Sequence, residues 1–433
     1  MKIYGWGRYP TIDAQVLLPQ TQSMCVGLLK ANEIVLPRGM GRSYGDSANS
    51  STVIQTDYLD HFIEFNESTG VLTCEAGVSI REILQLIIPK GWFVPVTPGS
   101  SFVSIGGAIA SDVHGKNHHL SGTFSEHLLS FDLLLGTGEI VTVEKDTYPD
   151  LFRATCGGMG LTGMILSASI QLKPISSSQI NQTTIKANCL EAVCEHFEAN
   201  HASTYSVAWI DCLASGKSLG RSLLMLGEHS QDGNLKLAKK KSLNMPIDMP
   251  SSILNHYSIK AFNALYYHRV FSKPKTEVVS FEPYFYPLDA IGKWNRLYGK
   301  AGFVQYQFVL PKVVGVKGMK KILEVIVSSG KGSFLAVLKA FGKANENFLS
   351  FPIEGYTLAL DFKMSEETVQ LIKLLDSMVV EMGGRIYLTK DALMTEASFK
   401  RTYPQWERFE EVRAKYGAIG KFASSQSKRL GLQ

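Results

Sequence analysis

"RGMGRSYGDSANSSTVIQTD", residues 38–57, decides the fold. Its Gly39-x-Gly41 turn lacks side chains that would block a bend, so successive N–H groups can converge on an anion such as a pyrophosphate. A doubly wound nucleotide-binding unit would set that turn after a strand and open a helix with it. Here the chain passes through polar loop residues into a second β-rich run, "TVIQTD". A nicotinamide-binding parallel sheet is therefore disfavoured, and the turn taken alone is also compatible with an ordinary loop.

Outward from that stretch, residues 20–175 alternate β-rich runs with glycine punctuation, among them "GVLTCEAGVS", "FDLLLGTGEIVTV" and "MILSASIQLKP". Helical spacing marks "SIREILQLIIPKG", with a closing glycine, and "PDLFRATCGG". After the polar connection "LKPISSS", new patterns begin, including "TYSVAWIDC", "VVSFEPYFYP", "FVQYQFVLP" and "YTLALDF". The expectation is an α+β protein of two domains, since 433 residues exceed what one core usually serves. In "FVQYQFV" the strand period puts Gln305 and Gln307 on one face and Val304, Tyr306 and Phe308 on the other. Residues about 231–275 mix lysines with apolar side chains and prolines and show no strong period, which predicts a mobile flap with a greasy, basic surface.

A hydrophobic content of 45% and a charged content of 19% are those of an ordinary globular protein. The formal charge of +5 is small, and apart from "KLAKKK" (236–241) the basic residues are scattered, which argues against a nucleic-acid partner. Six cysteines, far apart and without C-x-x-C spacing, predict buried free thiols in a reducing compartment. The first residues, "MKIYGWGRYPTIDAQVLL", lack a continuous apolar signal region, and no stretch reaches the roughly 18 apolar residues of a membrane span. A soluble or peripheral protein is expected.

"DVHGKNHHLSG", residues 112–122, sets a metal cage against a flavin bed. His114 and His118 are spaced i, i+4, and His119 follows. Yet Gly115 interrupts the run and no acidic or thiol side chain supplies a convincing further ligand, so no metal is expected.

Taken in order, "RGMGRSYGDSA", "PGSSFVSIGGAIASDVHGKNHHLSGTF", "GGMGLTGMI", "SVAWIDC", "FVQYQFVLP", "FLAVLKAFG", "LSFPIEGYTLALDF" and "FASSQSKRLGL" resemble the decaprenylphosphoryl-β-D-ribose 2′-oxidase family, the flavin half of an epimerase in cell-envelope arabinan synthesis. That family is similar to the vanillyl-alcohol-oxidase (PCMH-type) FAD enzymes. The resemblance implies an FAD-binding domain made of residues 1–176 and 385–433, and an inserted substrate domain of residues 177–384 built on an antiparallel sheet. It answers the histidine question in favour of flavin.

Carried over position by position, the resemblance assigns FAD contacts to Arg38, Gly39, Met40, Gly41, Arg42, Ser43, Tyr44, Gly45, Asp46 and Ser47. Further contacts fall to Gly99, Ser104, Ile105, Gly106, Gly107, Ser111, Asp112, Val113 and His114, with Ile165 and Tyr387 completing the site. It implies catalytic roles for Lys390, His114 and Tyr44, and substrate contacts from Lys116, Trp209, Gln305, Gln307, Lys339, Thr357 and Lys390. Each has a plainer alternative. Lys390 can be a surface lysine paired with Asp391, Lys339 a solvated helix residue, the two glutamines an exposed edge-strand face, Trp209 simple core, and His114 a hydrogen-bonded structural group.

Two departures stand out. Mycobacterial members have a cysteine where this chain has Ala359, so agents that trap that thiol would not attach here, and Thr357 replaces a neighbouring asparagine. No histidine lies within "RGMGRSYGD", where many relatives attach flavin, so FAD is expected to be noncovalent. The implied reaction is oxidation of the 2′-hydroxyl of a polyprenyl-phosphate pentose to a 2′-keto sugar. Its partners would be a separate short-chain NAD(P)H reductase and a quinone or other electron acceptor. The implied location is the bacterial cytoplasm, peripheral at the inner face of the membrane. The alternatives are an aldonolactone or alditol oxidase of small soluble sugars and a non-catalytic peripheral membrane protein.

Overall fold

The computed structural model describes residues 1–237, 243–250, 253–271 and 273–432. Strands β1 (Gln15–Leu17), β2 (Leu36–Arg38) and β3 (Thr52–Gln55) form a small parallel sheet in the order β1-β3-β2. Strands β4 (Phe62–Asn66), β5 (Val71–Glu75), β6 (Leu128–Leu134), β7 (Ile140–Glu144) and β8 (Met164–Gln171) form an antiparallel sheet in the order β7-β6-β8-β5-β4. Helix α1 (Ile80–Ile87) starts where Ser79 and Glu82 cap it reciprocally, and it buries Ile80, Ile83, Leu84 and Ile87. The short helix α2 (Ile105–Ala110) begins at Ser104, whose hydroxyl accepts from the Gly107 N–H.

The second, larger sheet contains β9 (Gln179–Ala187), β10 (Tyr205–Ile210), β11 (Ser222–His229), β12 (Lys275–Ser280), β13 (Phe303–Pro311), β14 (Ala336–Phe341), β15 (Gly355–Lys363) and β16 (Arg385–Ile386). Its order is β12-β9-β11-β10-β14-β15-β13-β16, with antiparallel pairing throughout. Helices α3 (Leu190–Ala199), α5 (Gly315–Ser328) and α6 (Glu366–Glu381) cover one face. Tyr306, Phe308, Leu358 and Leu360 join that core, whereas Gln305, Gln307, Thr357, Ala359 and Asp361 alternate onto the opposite face. Both faces of β13 are therefore buried, and the glutamines do not form an exposed edge.

The expected flap contains regular structure that its sequence did not mark. Within it, His256–His268 forms helix α4, capped by the Asn255 side chain on the N–H groups of Tyr257 and Ser258. Ile259, Asn263 and Tyr267 face inward, while Tyr257 and Leu265 lie outward at 82% and 75% exposure. Apolar residues on both faces blur the period that would have marked a helix. Of "KLAKKK", residues 238–241 lie outside the described residues, as do 242, 251, 252 and 272 of the flap.

The chain's end returns to its beginning. Val35 bridges Phe422 in parallel, the Ser425 N–H donates to Asn49 O at 2.7 Å, and helix α7 (Ser425–Arg429) carries Arg429 between two carboxylates. Its guanidinium donates to Asp46 at 2.7 and 3.1 Å and to Asp391 at 2.8 Å. All six cysteines are free, and five are buried. No helix among the described residues is long and apolar enough to cross a membrane.

Removing Arg429 leaves two nearly buried carboxylates facing each other, so Arg429→Ala is expected to cost about 3 kcal/mol in urea unfolding. An unchanged midpoint would show that this clamp carries no stability.

Candidate active site

The residues of the glycine turn pack against α2 and against the segment after β16. A Cβ on Gly45 would lie 1.7 Å from the backbone Asp391 O, so that position requires glycine, and one on Gly39 would lie 2.2 Å from Ser104 Oγ and displace that hydroxyl. Gly41 adopts φ +62°, which glycine alone tolerates easily. Arg38 is committed to the protein: it donates to Tyr4 O at 2.8 Å, to Asn49 Oδ1 at 3.0 Å and to Ala48 O, holding the loop in shape. Asp46 is taken by Arg429, Ser47 is buried beside it in sequence, and Met40 is exposed.

Arg42 behaves differently. Its guanidinium stacks 4.3 Å from the Trp6 ring centroid and 5.3 Å from that of Phe102, and its Nε is buried without a partner, as is the neighbouring Ser43 Oγ. An unmet buried donor costs about 1–3 kcal/mol, so these atoms fit a polar, anionic group such as the FAD pyrophosphate. Open space above Gly99 lies in the same set of loops, and Gly106 packs on Ala76. Ile105, Val113 and Ile165 are buried apolar residues.

Asp112 organises the histidine run. It takes φ +38°, and its carboxylate accepts from Asn345, Asn347 and Ser350 at 2.6–2.9 Å and from the Ser125 N–H at 3.2 Å. This pins the loop before β15 beside His114. Tyr387 donates to Ser111 O at 3.1 Å and lies 5.0 Å from the His114 ring. The three histidines are engaged separately. His114 Nε2 meets Gln307 Nε2 at 3.0 Å, His118 Nδ1 accepts from the Gly342 N–H, and His119 Nε2 meets Ser203 O. Among the described residues no group of three acidic, histidine or cysteine side chains is arranged to hold a metal. His114 Nδ1 is buried and unpartnered. Since the Gln307 amide can only donate through Nε2, His114 Nε2 must accept, and its proton sits on Nδ1.

Three lysines approach the polar sheet face. Lys390 Nζ lies 3.7 Å from the Tyr44 ring centroid, and burial, with Lys339 adding, lowers its pKa to about 7 against the opposing pull of Asp361. It does not pair with Asp391, which Arg429 and Gln426 occupy. Lys339 stands on β14 opposite Thr357, a strand position rather than a solvated helix face, with its pKa lowered to about 8 by burial. Lys116 donates to Tyr284 O, and burial, then Lys339, brings its pKa to about 7. Trp209 lies on the same sheet beneath α4, donating to Phe334 O at 3.1 Å and packing 4.7 Å from the Tyr266 ring.

Residues 14–144 match the FAD binding domain family. The chain is 35% identical to the decaprenylphosphoryl-beta-D-ribose oxidase of Mycolicibacterium smegmatis, over 100% of this chain and 97% of that protein. The chain belongs to this oxidase family. It is also 29% identical to an uncharacterized protein of Streptomyces coelicolor, over 82% of this chain and all of that protein. An L-gulono-1,4-lactone dehydrogenase of Mycobacterium tuberculosis is 20% identical over 93% of this chain and 91% of its own length.

The sequence reading missed one buried acid on this polar sheet face. Asp361 is almost fully buried opposite Gln305 and accepts from Gln305 Nε2 at 2.6 Å and from the Tyr298 hydroxyl at 3.4 Å. The signal was present: in "YTLALDF" Asp361 shares a face with Thr357 and Ala359, and an acidic residue on a buried strand face needs a partner.

Burial first, then Lys339, His118 and Lys390, holds His114 neutral well below the ordinary histidine range. An unfolded chain protonates this imidazole below about 6.5 while the folded one does not, so its contribution makes stability fall as pH drops below that value. His114→Asn is expected to flatten part of the decline in urea midpoint between about pH 6.5 and 5. A decline of unchanged slope would remove His114 as its source.

Proposed function

We propose that this chain is an FAD-dependent oxidoreductase that oxidises the 2′-hydroxyl of a polyprenyl-phosphate pentose to a 2′-keto sugar. The observation that carries this is the meeting of unpartnered buried donors, Arg42 Nε, Ser43 Oγ and His114 Nδ1, with a sheet face of neutral amides ringed by three lysines. Residues 1–176 and 385–433 would hold FAD without a covalent bond, and residues 177–384 would hold the sugar. Bound FAD supplies the acceptor for the hydride that leaves the sugar carbon.

The protein's own groups do the remaining work. Lys390, neutral in part near pH 7, takes the hydroxyl proton, and Tyr44 acts as a neutral phenol because burial and then Asp361 raise its pKa well above 10. Gln305 and Gln307 hold sugar hydroxyls, while Lys339 and Lys116 face the phosphate, whose charge would favour their protonated forms. His114 orients substrate or flavin through its free Nδ1–H. A neutral lactone gives such a cluster of cations nothing to neutralise, which makes a small-sugar oxidase the weaker reading.

A lipid-linked substrate suits the outer face of α4. Tyr257 and Leu265 stand out from it, Phe271 follows at 86% exposure, and Lys260, Arg269 and Lys273 flank them, a composition fitted to the inner surface of a membrane. The keto product requires a second enzyme, a short-chain NAD(P)H reductase, to restore the alcohol with the opposite configuration. Repeated turnover would require a quinone or other electron acceptor.

The purified protein is expected to be yellow, to release its colour on acid precipitation, and to be bleached anaerobically by a polyprenylphosphoryl ribose but not by free ribose. No bleaching with the lipid-linked sugar would overturn the substrate assignment. Lys390→Met should slow single-turnover flavin reduction by about 10²–10⁴-fold at unchanged FAD occupancy. For the unaltered protein the rate should rise with pH through about 7, where Lys390 loses its proton. A Lys390→Met rate within threefold of the unaltered protein would exclude this lysine as the base.

A further inference from the structure

We propose that Asp361 is a positioning residue for this oxidation, clamping Gln305 so that its amide oxygen is the end offered to the sugar, and supplying a carboxylate charge that faces Lys390. The inference rests on the proposed oxidation for its catalytic meaning, and on geometry for its content.

An ionised carboxylate can only accept hydrogen bonds. The 2.6 Å contact between Gln305 Nε2 and Asp361 Oδ1 therefore fixes which way the Gln305 amide points: nitrogen toward Asp361, oxygen on the opposite arm. Gln307 is turned by the same logic, since its Nε2 donates to His114 Nε2 at 3.0 Å and to Thr357 Oγ1 at 3.3 Å. Two residues apart on one face of β13, both amides leave their oxygens uncommitted to these partners. Such a pair selects a ligand whose neighbouring hydroxyls both donate, as two hydroxyls of a sugar ring do.

The backbone holds Asp361 in place, its N–H donating to Ser333 Oγ at 3.1 Å. Its remaining side-chain donor, the Tyr298 hydroxyl, is distant at 3.4 Å, so neutral hydrogen bonds alone leave a buried charge poorly compensated. Lys390 reaches the Gln305 face by way of Tyr44, whose ring centroid lies 3.7 Å from Lys390 Nζ and 5.5 Å from that of Phe303, two residues before Gln305 on the same face of β13. The effect is reciprocal: Asp361 favours the charged form of Lys390, and Lys390 that of Asp361, each against burial, which moves both toward about 7. The other titratable groups around this pair are Tyr44, Tyr298 and Lys339, with Asp289 and Arg42 acting on Tyr44 and Cys212 on Tyr298. Tyr44 and Tyr298 stay neutral because burial raises both phenols well above 10.

Asp361→Asn keeps an acceptor for Gln305 and removes only the charge, whereas Asp361→Leu removes both. In the FAD-loaded protein, the pH dependence of acylation of each lysine, read by peptide mass spectrometry, gives the protonation midpoint of Lys390 without turnover. The midpoint is expected to fall by about one pH unit or more in Asp361→Asn, with exposed lysines as the reference. The alkaline-going rise of flavin reduction by polyprenylphosphoryl ribose should move down by the same amount. Asp361→Leu should in addition raise KM about tenfold relative to Asp361→Asn, the effect of losing the amide clamp. Coincident Lys390 midpoints in the unaltered and Asn proteins, at equal FAD occupancy, overturn the charge role, and an unchanged KM in a folded Leu variant overturns the clamp. Should the Leu variant fail to fold, Gln305→Glu, which sets a second carboxylate against Asp361, is expected to give the same KM rise, and an unchanged KM there rejects the clamp. A shifted midpoint together with no reduction by the lipid-linked sugar would separate the two claims, retaining the charge role and rejecting the oxidation.

Discussion

The bridge from Arg429 to Asp46 and Asp391 is the contact on which the site depends. Asp46 belongs to the glycine turn and Asp391 immediately follows Lys390, so one guanidinium from the end of the chain fixes both sides of the cleft. The Tyr44 N–H donates to Thr389 O at 2.9 Å within the same contact, and Gly45 lies against Asp391 O. Lys390 reaches the Tyr44 ring because these backbones are held together first. A buried pair of this kind adds little net stability, but it specifies one arrangement, since any other leaves a charge uncompensated.

Within that frame the chemistry follows from an imbalance of charge. Lys116, Lys339 and Lys390 converge on a face otherwise made of amides, hydroxyls and aromatic rings, and burial weakens each one's hold on its proton. Asp361 offsets only part of this. A site so arranged gains by binding an anion, and it keeps one lysine poised between acid and base near neutrality. The sheet supplies the order: antiparallel register sets Gln305 opposite Asp361, Gln307 opposite Ala359 and Lys339 opposite Thr357, so each polar residue has a fixed neighbour.

Much of the site was legible in the chain. The alternation in "FVQYQFV" correctly separated Gln305 and Gln307 from Val304, Tyr306 and Phe308, because the strand period is a covalent property of extended backbone. Helix α1 was marked by its apolar spacing and its closing glycine. Helix α4 was not, since Tyr257 and Leu265 put apolar weight on its outer face and hid its period. The plain alternatives for Lys390 and Lys339 failed for a related reason: adjacency to Asp391 and a helical look are local facts, whereas the partner of Asp391 is Arg429, 38 residues away in the chain.

By itself the sequence determined the mixed α and β character, the glycine turn that leads into a strand, the family membership carried by its ordered motifs, and which residues of each strand share a face. These depend on backbone geometry and on residues close together in the chain. Only the tertiary structure decided that Arg38 serves the loop while Arg42 and Ser43 keep unmet polar atoms, that Asp361 is buried against the Gln305 amide, and that His114 meets Gln307 through Nε2 while its Nδ1 has no partner. Hydrogen-bond direction and proton affinity are set by what surrounds a group in space, and here those neighbours come from segments up to hundreds of residues apart.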